Sequence, residues 1–307
     1  MKQTGIPTFD ITALHSGSMR EQARVVLDIG AAARDVGYFA IVNHGVATRL
    51  REDAFAAARQ FFAQPSAEKE RVSMENAPYG RGYSRLGAER LVPGLPGDFK
   101  EAFTTGRDID AAPNQWPSLA GFREATQTYY NAMNSLALQI GRAFALDLGM
   151  PPHFFAAYCD QSQTSLRLLR YPPQPADVDR TLFGAGAHSD WGIFTLLAQD
   201  GGGGLEIARH DGQWAAVEPV PDSFICNVGD CLMRWSNDRY VSRPHRVVNR
   251  SSAPRYALAF YADPEPETVI ACLPTCYDAD YTSKYAPISY AEYAQERYKA
   301  AAVGASA

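Results

Sequence analysis

The sequence predicts helices packed around an antiparallel β core, a sandwich or barrel, and two observations carry that expectation. From Ser165 onward the chain breaks into short strand-like runs separated by turns, with no helical pattern between them, which is how sandwiches and barrels read. Before that point long amphipathic patterns dominate, and each needs a surface against which to bury its apolar stripe. No repeat or low-complexity linker divides the two parts, so one compact unit is expected. Within it we separate an N-terminal region (1–117), a packing helix (118–160), a β core (161–270) and a closing helix (271–307).

Each element has its own local cause. Val25, Val26, Ile29, Ala32, Ala33 and Val36 recur at helical spacing within Arg20–Val36, so that segment presents one apolar face. A short strand, Gly37–Val42, and a second helix, Thr48–Gln64, follow it. Ala77–Pro117 is rich in Gly and Pro and is expected to be loop. Phe122, Ala125, Tyr129, Met133, Leu136, Ile140 and Phe144 then form one long helical stripe, which Pro151 and Pro152 stop. The strand-like runs are Ser165–Tyr171, Ile193–Leu197, Trp214–Val217, Phe224–Val228, His245–Val248 and Tyr256–Tyr261, and Ser289–Ala301 reads as a last helix. Gly201–Gly204 reads as a turn, and since no Walker-type Lys-Ser/Thr follows it it is no phosphate loop.

Composition narrows the function classes. Apolar residues make up 46% and charged residues 21%, close to ordinary folded proteins, which argues against disorder and against a membrane class. The net charge of −5 offers no positive field for nucleic acid or anionic lipid. Met1–Pro7 lacks a signal-peptide pattern and no long apolar run follows, so the expected address is the cytosol. Cys159, Cys226, Cys231, Cys272 and Cys276 are an odd set and are expected to be reduced. Cys272 and Cys276 have no second Cys or His pair at zinc-site spacing and read as small apolar residues.

The chemistry-bearing residues are His188, Asp190 and His245. In extended chain, residues two apart share a face, so His188 and Asp190 converge, and His245 opens another strand-like run that can bring a third ligand alongside. Two neutral imidazoles and one carboxylate leave the opposite positions of a metal open, the arrangement of non-haem Fe(II) oxygenases. An isolated His-x-Asp is usually a surface turn. Farther along stands Arg255, whose guanidinium suits bidentate capture of a carboxylate in an apolar barrel.

A series of segments extends this pattern over almost the whole chain: Val36–Val46, Phe61–Pro65 with Glu68-Lys69, Arg81-Gly82-Tyr83, Leu166–Pro172, Gly186–Gly192 with Thr195-Leu196-Leu197, Asn227-Val228-Gly229-Asp230, and Pro244-His245-Arg246-Val247. In this order they resemble the isopenicillin N synthase-like branch of the 2-oxoglutarate and Fe(II)-dependent oxygenases. The resemblance implies a double-stranded β-helix (jelly-roll) core surrounded by helices. It implies His188, Asp190 and His245 as Fe(II) ligands, Arg255 as anchor for the distal carboxylate of 2-oxoglutarate, and Tyr171 as a second contact to that carboxylate. The implied activity oxidises a small-molecule metabolite, by hydroxylation, desaturation or ring formation, with release of succinate and CO2. His44 belongs to one of these segments but precedes a turn glycine and reads as structural, as do Asn227, Gly229 and Asp230 in a turn before Cys231.

One position departs from the pattern: where the family has Arg-x-Ser, this chain has Arg255-Tyr256-Ala257. That keeps open an Fe(II) oxidase that draws electrons from its own substrate or from ascorbate, which in the first reading is at most an accessory reductant. A zinc hydrolase lacks a His-Glu-x-x-His helix and a placed general base. Alternation in Ser165–Tyr171 puts Arg167 on the face of Tyr171, either paired internally with Asp98 or Glu101 or anchoring an acidic group of a carboxylated substrate. Trp191 is a further cavity-lining residue or a packing one. The sequence says nothing of oligomeric state.

Overall fold

Strand alternation decides which side chains reach the interior. The protein is described by a computed structural model covering residues 5–77, 80–109, 113–159, 164–174, 182–280 and 282–303. Met1–Thr4 and the side chain of Cys159 therefore lie outside the described residues. The N-terminal part runs β1 (Thr8–Asp10), α1 (Thr12–Ser16), α2 (Met19–Asp35), β2 (Tyr38–Val42), α3 (Thr48–Phe62), α4 (Ser66–Glu70), β3 (Gly82–Ser84) and β4 (Glu101–Gly106). Then come α5 (Phe122–Asp147), α6 (Ala156–Cys159), β5 (Ser165–Tyr171), β6 (Ala185–His188), β7 (Phe194–Gln199), β8 (Leu205–Ala208), β9 (Trp214–Ala216) and β10 (Phe224–Val228). The chain ends with α7 (Asp230–Trp235), β11 (His245–Val247), β12 (Arg255–Ala262), β13 (Val269–Ile270), β14 (Ile288–Ser289) and α8 (Tyr290–Val303).

Two sheets face each other. The larger has the order β1-β2-β10-β7-β12-β5-β4-β3 and the smaller β6-β11-β8-β9. Between them Tyr38, Leu169, Tyr171, Ile225, Ala257 and Ala259 from the large sheet meet Ala185, Leu205, Ile207 and Val247 from the small one. The intervening residues of the same strands, such as Leu166, Leu168, Leu196, Leu258 and Phe260, point the other way, into a core shared with α2, α3 and α5. This is the jelly roll with flanking helices that the resemblance implied. Helix α2 starts on a capping box in which Ser18 and Glu21 satisfy each other's backbone N–H groups, a device whose loss costs about 1 kcal/mol.

The structure corrects several expectations. Ala77–Pro117 is not only loop, because it contains β3 and the wholly buried β4. Glu101 disguises β4 as polar; it is buried because Lys69 and Tyr83 donate to one carboxylate oxygen, at 2.6 and 2.7 Å, and Arg170 donates to the other. The sheet is not purely antiparallel, since β1 pairs β2 in parallel. Helix α7 does interrupt the strand-rich half, so Asn227 belongs to β10 and Asp230 opens α7; neither lies in a turn. Cys226, Cys231, Cys272 and Cys276 are free and buried. Among the described residues no helix is long and apolar enough to cross a membrane.

Candidate active site

Register brings the first two candidate ligands together: β11 pairs β6 with His245 directly opposite His188, and their rings lie 4.2 Å apart between centroids. Asp190 does not share their sheet, because β6 ends at His188; the chain has turned, yet the carboxylate still points at both rings. One oxygen, Oδ2, accepts from Thr195 Oγ1 at 2.5 Å and from Asn227 Nδ2 at 2.7 Å. The other, Oδ1, stands 3.8 Å from His188 Nε2 and 3.7 Å from His245 Nε2. Those gaps are too long for hydrogen bonds, and one atom from each of the three residues lies within 4.8 Å of the others, so together they could hold a metal ion.

Protonation suits a metal as well. His188 Nδ1 lies 2.7 Å from the Gly186 carbonyl, an acceptor only, so the proton sits on Nδ1 and Nε2 keeps its lone pair. Burial, reinforced by His245, pulls the His188 imidazole down from 6.5 to about 3, which keeps it neutral at physiological pH. Burial by itself would raise Asp190, but His245, His188, Thr195 and Asn227 together hold it below the usual carboxylate range. The donor set is thus a carboxylate held below its usual range, the neutral imidazole of His188 and the imidazole of His245, a combination that fits Fe(II).

The triad opens on a cavity of about 890 Å³. Arg255 lines the same cavity and is 1% exposed; it donates from Nε to the Gly203 carbonyl at 2.5 Å and from Nη2 to Gln199 Oε1 at 2.9 Å. Its Nη1 has no partner among the described residues, and a buried guanidinium without an anion is costly. A ligand carboxylate fits that deficit. The Tyr171 ring faces the same guanidinium at 4.7 Å, directly across the β5–β12 register from it. The glycine tract lies against Arg255: Gly204 has φ +86, and a Cβ there would meet the Val248 carbonyl at 2.6 Å, so glycine lets the loop pass this close to the Arg255 side chain.

Comparison with known proteins decides the family. The non-haem dioxygenase in morphine synthesis N-terminal model matches residues 6–119, and the 2OG-Fe(II) oxygenase superfamily model matches 159–264. The 2-oxoglutarate-Fe(II) type oxidoreductase hxnY of Emericella nidulans is 34% identical over 317 residues, covering 97% of this chain and 91% of its own length. The chain belongs to the 2-oxoglutarate/Fe(II)-dependent dioxygenase family. Among solved relatives, a full-length Neurospora crassa protein in complex with alpha-KG superimposes with a TM-score of 0.89 at 29% identity, covering 98% of both chains. A dioxygenase for auxin oxidation from rice gives 0.78 at 27% identity, with 96% of this chain and 95% of that one covered. This dioxygenase therefore uses Fe(II) and 2-oxoglutarate to oxidise a small-molecule metabolite.

Sequence reasoning gave Asn227 and Asp230 a structural role and Thr195 none, and did not foresee that they hold the dioxygenase's site in shape. Thr195 and Asn227 stand opposite each other in the β7–β10 register, which is why both reach one oxygen of Asp190. Asp230 also braces the ligand loop, donating its backbone N–H to the Asp190 carbonyl at 2.8 Å and accepting from Ser189 at 3.0 Å. The only signal was their presence in the family segments. Asp263, at the end of β12, lines the cavity too, and burial followed by repulsion from Asp190 pushes its carboxyl up to about 7. Trp191 both lines the cavity and packs against the helix-side core. Arg167 faces the cavity, but its partner is Glu89; Asp98 is taken by Lys100 and Glu101 by Lys69 and Arg170. His44 is a brace, its ring nitrogens meeting the Asp222 carbonyl and the Val46 N–H, each at 3.2 Å.

Proposed function

We propose that His188, Asp190 and His245 hold the Fe(II) and that Arg255, backed by Tyr171, anchors the distal carboxylate of 2-oxoglutarate in the same cavity. One observation carries this reading: three possible ligand atoms converge in a cavity that is also lined by a buried guanidinium with no carboxylate partner among the described residues. Bound there, the iron supplies the oxidising chemistry, coupling decarboxylation of 2-oxoglutarate to succinate and CO2 with oxidation of the substrate. The protein's part is orientation. Thr195 and Asn227 fix which oxygen of Asp190 faces the histidines, and the Gly186 carbonyl fixes the tautomer of His188.

Partners of metal ligands typically contribute 10–100-fold to metal affinity or activity. Asn227→Ala is accordingly expected to weaken Fe(II) binding by roughly that factor, measured by anaerobic metal competition. Wild-type affinity in this variant would show that Thr195 alone positions Asp190.

Ala257 sits fully buried one rung from Arg255, opposite Leu169 and Gln199. A hydroxyl there would add one hydrogen bond to a charged group, worth about 1.5–3 kcal/mol when well formed. Ala257→Ser is expected to lower the Michaelis constant for 2-oxoglutarate at least several-fold, read by succinate formation. No change, or an increase, would place the co-substrate carboxylate away from this rung. The Neurospora crassa relative was also solved with thymine and with 5-formyluracil, which supports a compact metabolite as the prime substrate here.

A further inference from the structure

One band of the cavity wall is not used by the iron or the 2-oxoglutarate site. The β4–β5–β12 register aligns Thr104, Arg167 and Ala259. They lie four residues along β5 from Tyr171, roughly 13 Å at strand rise, so this band is distinct from the Arg255 end. The segment 85–98 carries Glu89 to the same place, where it forms ion pairs with Arg167 and, at 3.2 Å, with Lys100. Lys100 is held in addition by Asp98 at 2.9 Å. At this rung two cations thus face two carboxylates, and the Arg81 guanidinium lines the same cavity one rung on, beside Gly106.

The band is not saturated in hydrogen bonds. Arg167 Nε and Thr104 Oγ1, neighbours across the register, have no partner among the described residues. The side chains of Arg167 and Glu89 keep 20% and 25% of their surface exposed, and both line the cavity. The wall therefore offers guanidinium N–H donors, a hydroxyl that can donate or accept, and a carboxylate that accepts. An anionic ligand would have to separate Glu89 from Arg167 or bring a third negative charge beside Glu89 and Asp98, and stranding a buried charge is strongly unfavourable. A neutral edge meets neither obstacle.

We propose that the prime substrate docks on Arg167, Thr104 and Glu89 through an uncharged polar edge combining a carbonyl with an N–H or O–H, as in an amide, lactam, imide or nucleobase, and that Glu89 selects against carboxylates. The proposal rests on the Fe(II)/2-oxoglutarate reading of the same cavity. It replaces the simpler idea of Arg167 as an anchor for an acid.

Matched probes test it: uracil against orotate, nicotinamide against nicotinate, phthalimide against phthalate. Each is titrated anaerobically into the full chain loaded with Fe(II) and 2-oxoglutarate, and binding is read from the difference spectrum of that complex. The neutral members are expected to bind at least ten-fold more tightly than the acids. Glu89→Gln should shrink that ratio at least ten-fold by letting the acids in, and Thr104→Val should weaken the neutral members while leaving the acids unchanged. If Glu89→Gln does not fold, Thr104→Val decides. Acids binding as well as or better than their neutral partners, binding by neither set, or a ratio unmoved in the folded variants would overturn the proposal. A wild-type protein that gives no Fe(II)/2-oxoglutarate spectrum at all fails at the underlying assignment instead, so the two failures are distinguishable.

Discussion

Asp190→Ala is expected to reduce succinate formation to background while the protein stays folded. The carboxylate is the only anion of the donor set, and its Oδ1 is the atom nearest both Nε2 nitrogens. Without it only two imidazoles remain, too few to hold a divalent ion against water. The structural cost is smaller. Thr195 and Asn227 each lose an acceptor, and a buried donor left unpaired costs about 1–3 kcal/mol, against total stabilities of about 5–15 kcal/mol for a domain. A modest drop in melting temperature with complete loss of iron stoichiometry is the expected pair of results. Retention of iron and of wild-type turnover would remove the triad from the account, whereas a variant that fails to fold is resolved by Asp190→Asn, which keeps the size and one acceptor.

How far the sequence reaches depends on where each signal resides. Ser165–Tyr171 is legible because its apolar residues alternate with residues that the cavity and Glu101 engage, and β5 occupies those bounds. The helical stripe from Phe122 to Phe144 is legible because its period survives burial on one face. Strand β4 is hidden for the opposite reason: Glu101, Thr104 and Thr105 are buried polar residues, and only the tertiary partners of Glu101 explain how a strand can contain it. The triad is legible by motif and spacing, although its geometry does not come from one strand, since Asp190 lies past the end of β6. Its supports are legible as members of the family segments, but their contacts with Asp190 are not. Thr195 and Asn227 are ordinary strand residues until the β7–β10 register sets them side by side, and that Glu89 rather than Asp98 or Glu101 meets Arg167 depends on the path of a segment with no regular structure.

Arg255→Leu should separate co-substrate binding from folding. In the wild-type protein the guanidinium is 1% exposed, and among the described residues it donates to the Gly203 carbonyl and Gln199, with Nη1 left over. Removing the partner of a buried charge costs about 3–5 kcal/mol, which at about 1.4 kcal/mol per factor of ten raises the Michaelis constant for 2-oxoglutarate by roughly two to three and a half orders of magnitude. Turnover at saturating 2-oxoglutarate should fall much less, because the triad is untouched. Stability should move the other way or hardly at all: replacing a buried, incompletely paired cation by an apolar side chain is often neutral or stabilising. Arg255→Lys should fall between, since an ammonium on a flexible stem keeps the charge but cannot offer the planar fork. Titrating succinate formation against 2-oxoglutarate, alongside a thermal melt of each variant without ligand, checks both signs at once. A wild-type Michaelis constant in Arg255→Leu would move the anchor elsewhere in the cavity, and a collapse in melting temperature with unchanged co-substrate affinity would make Arg255 a clasp for the Gly201–Gly204 loop.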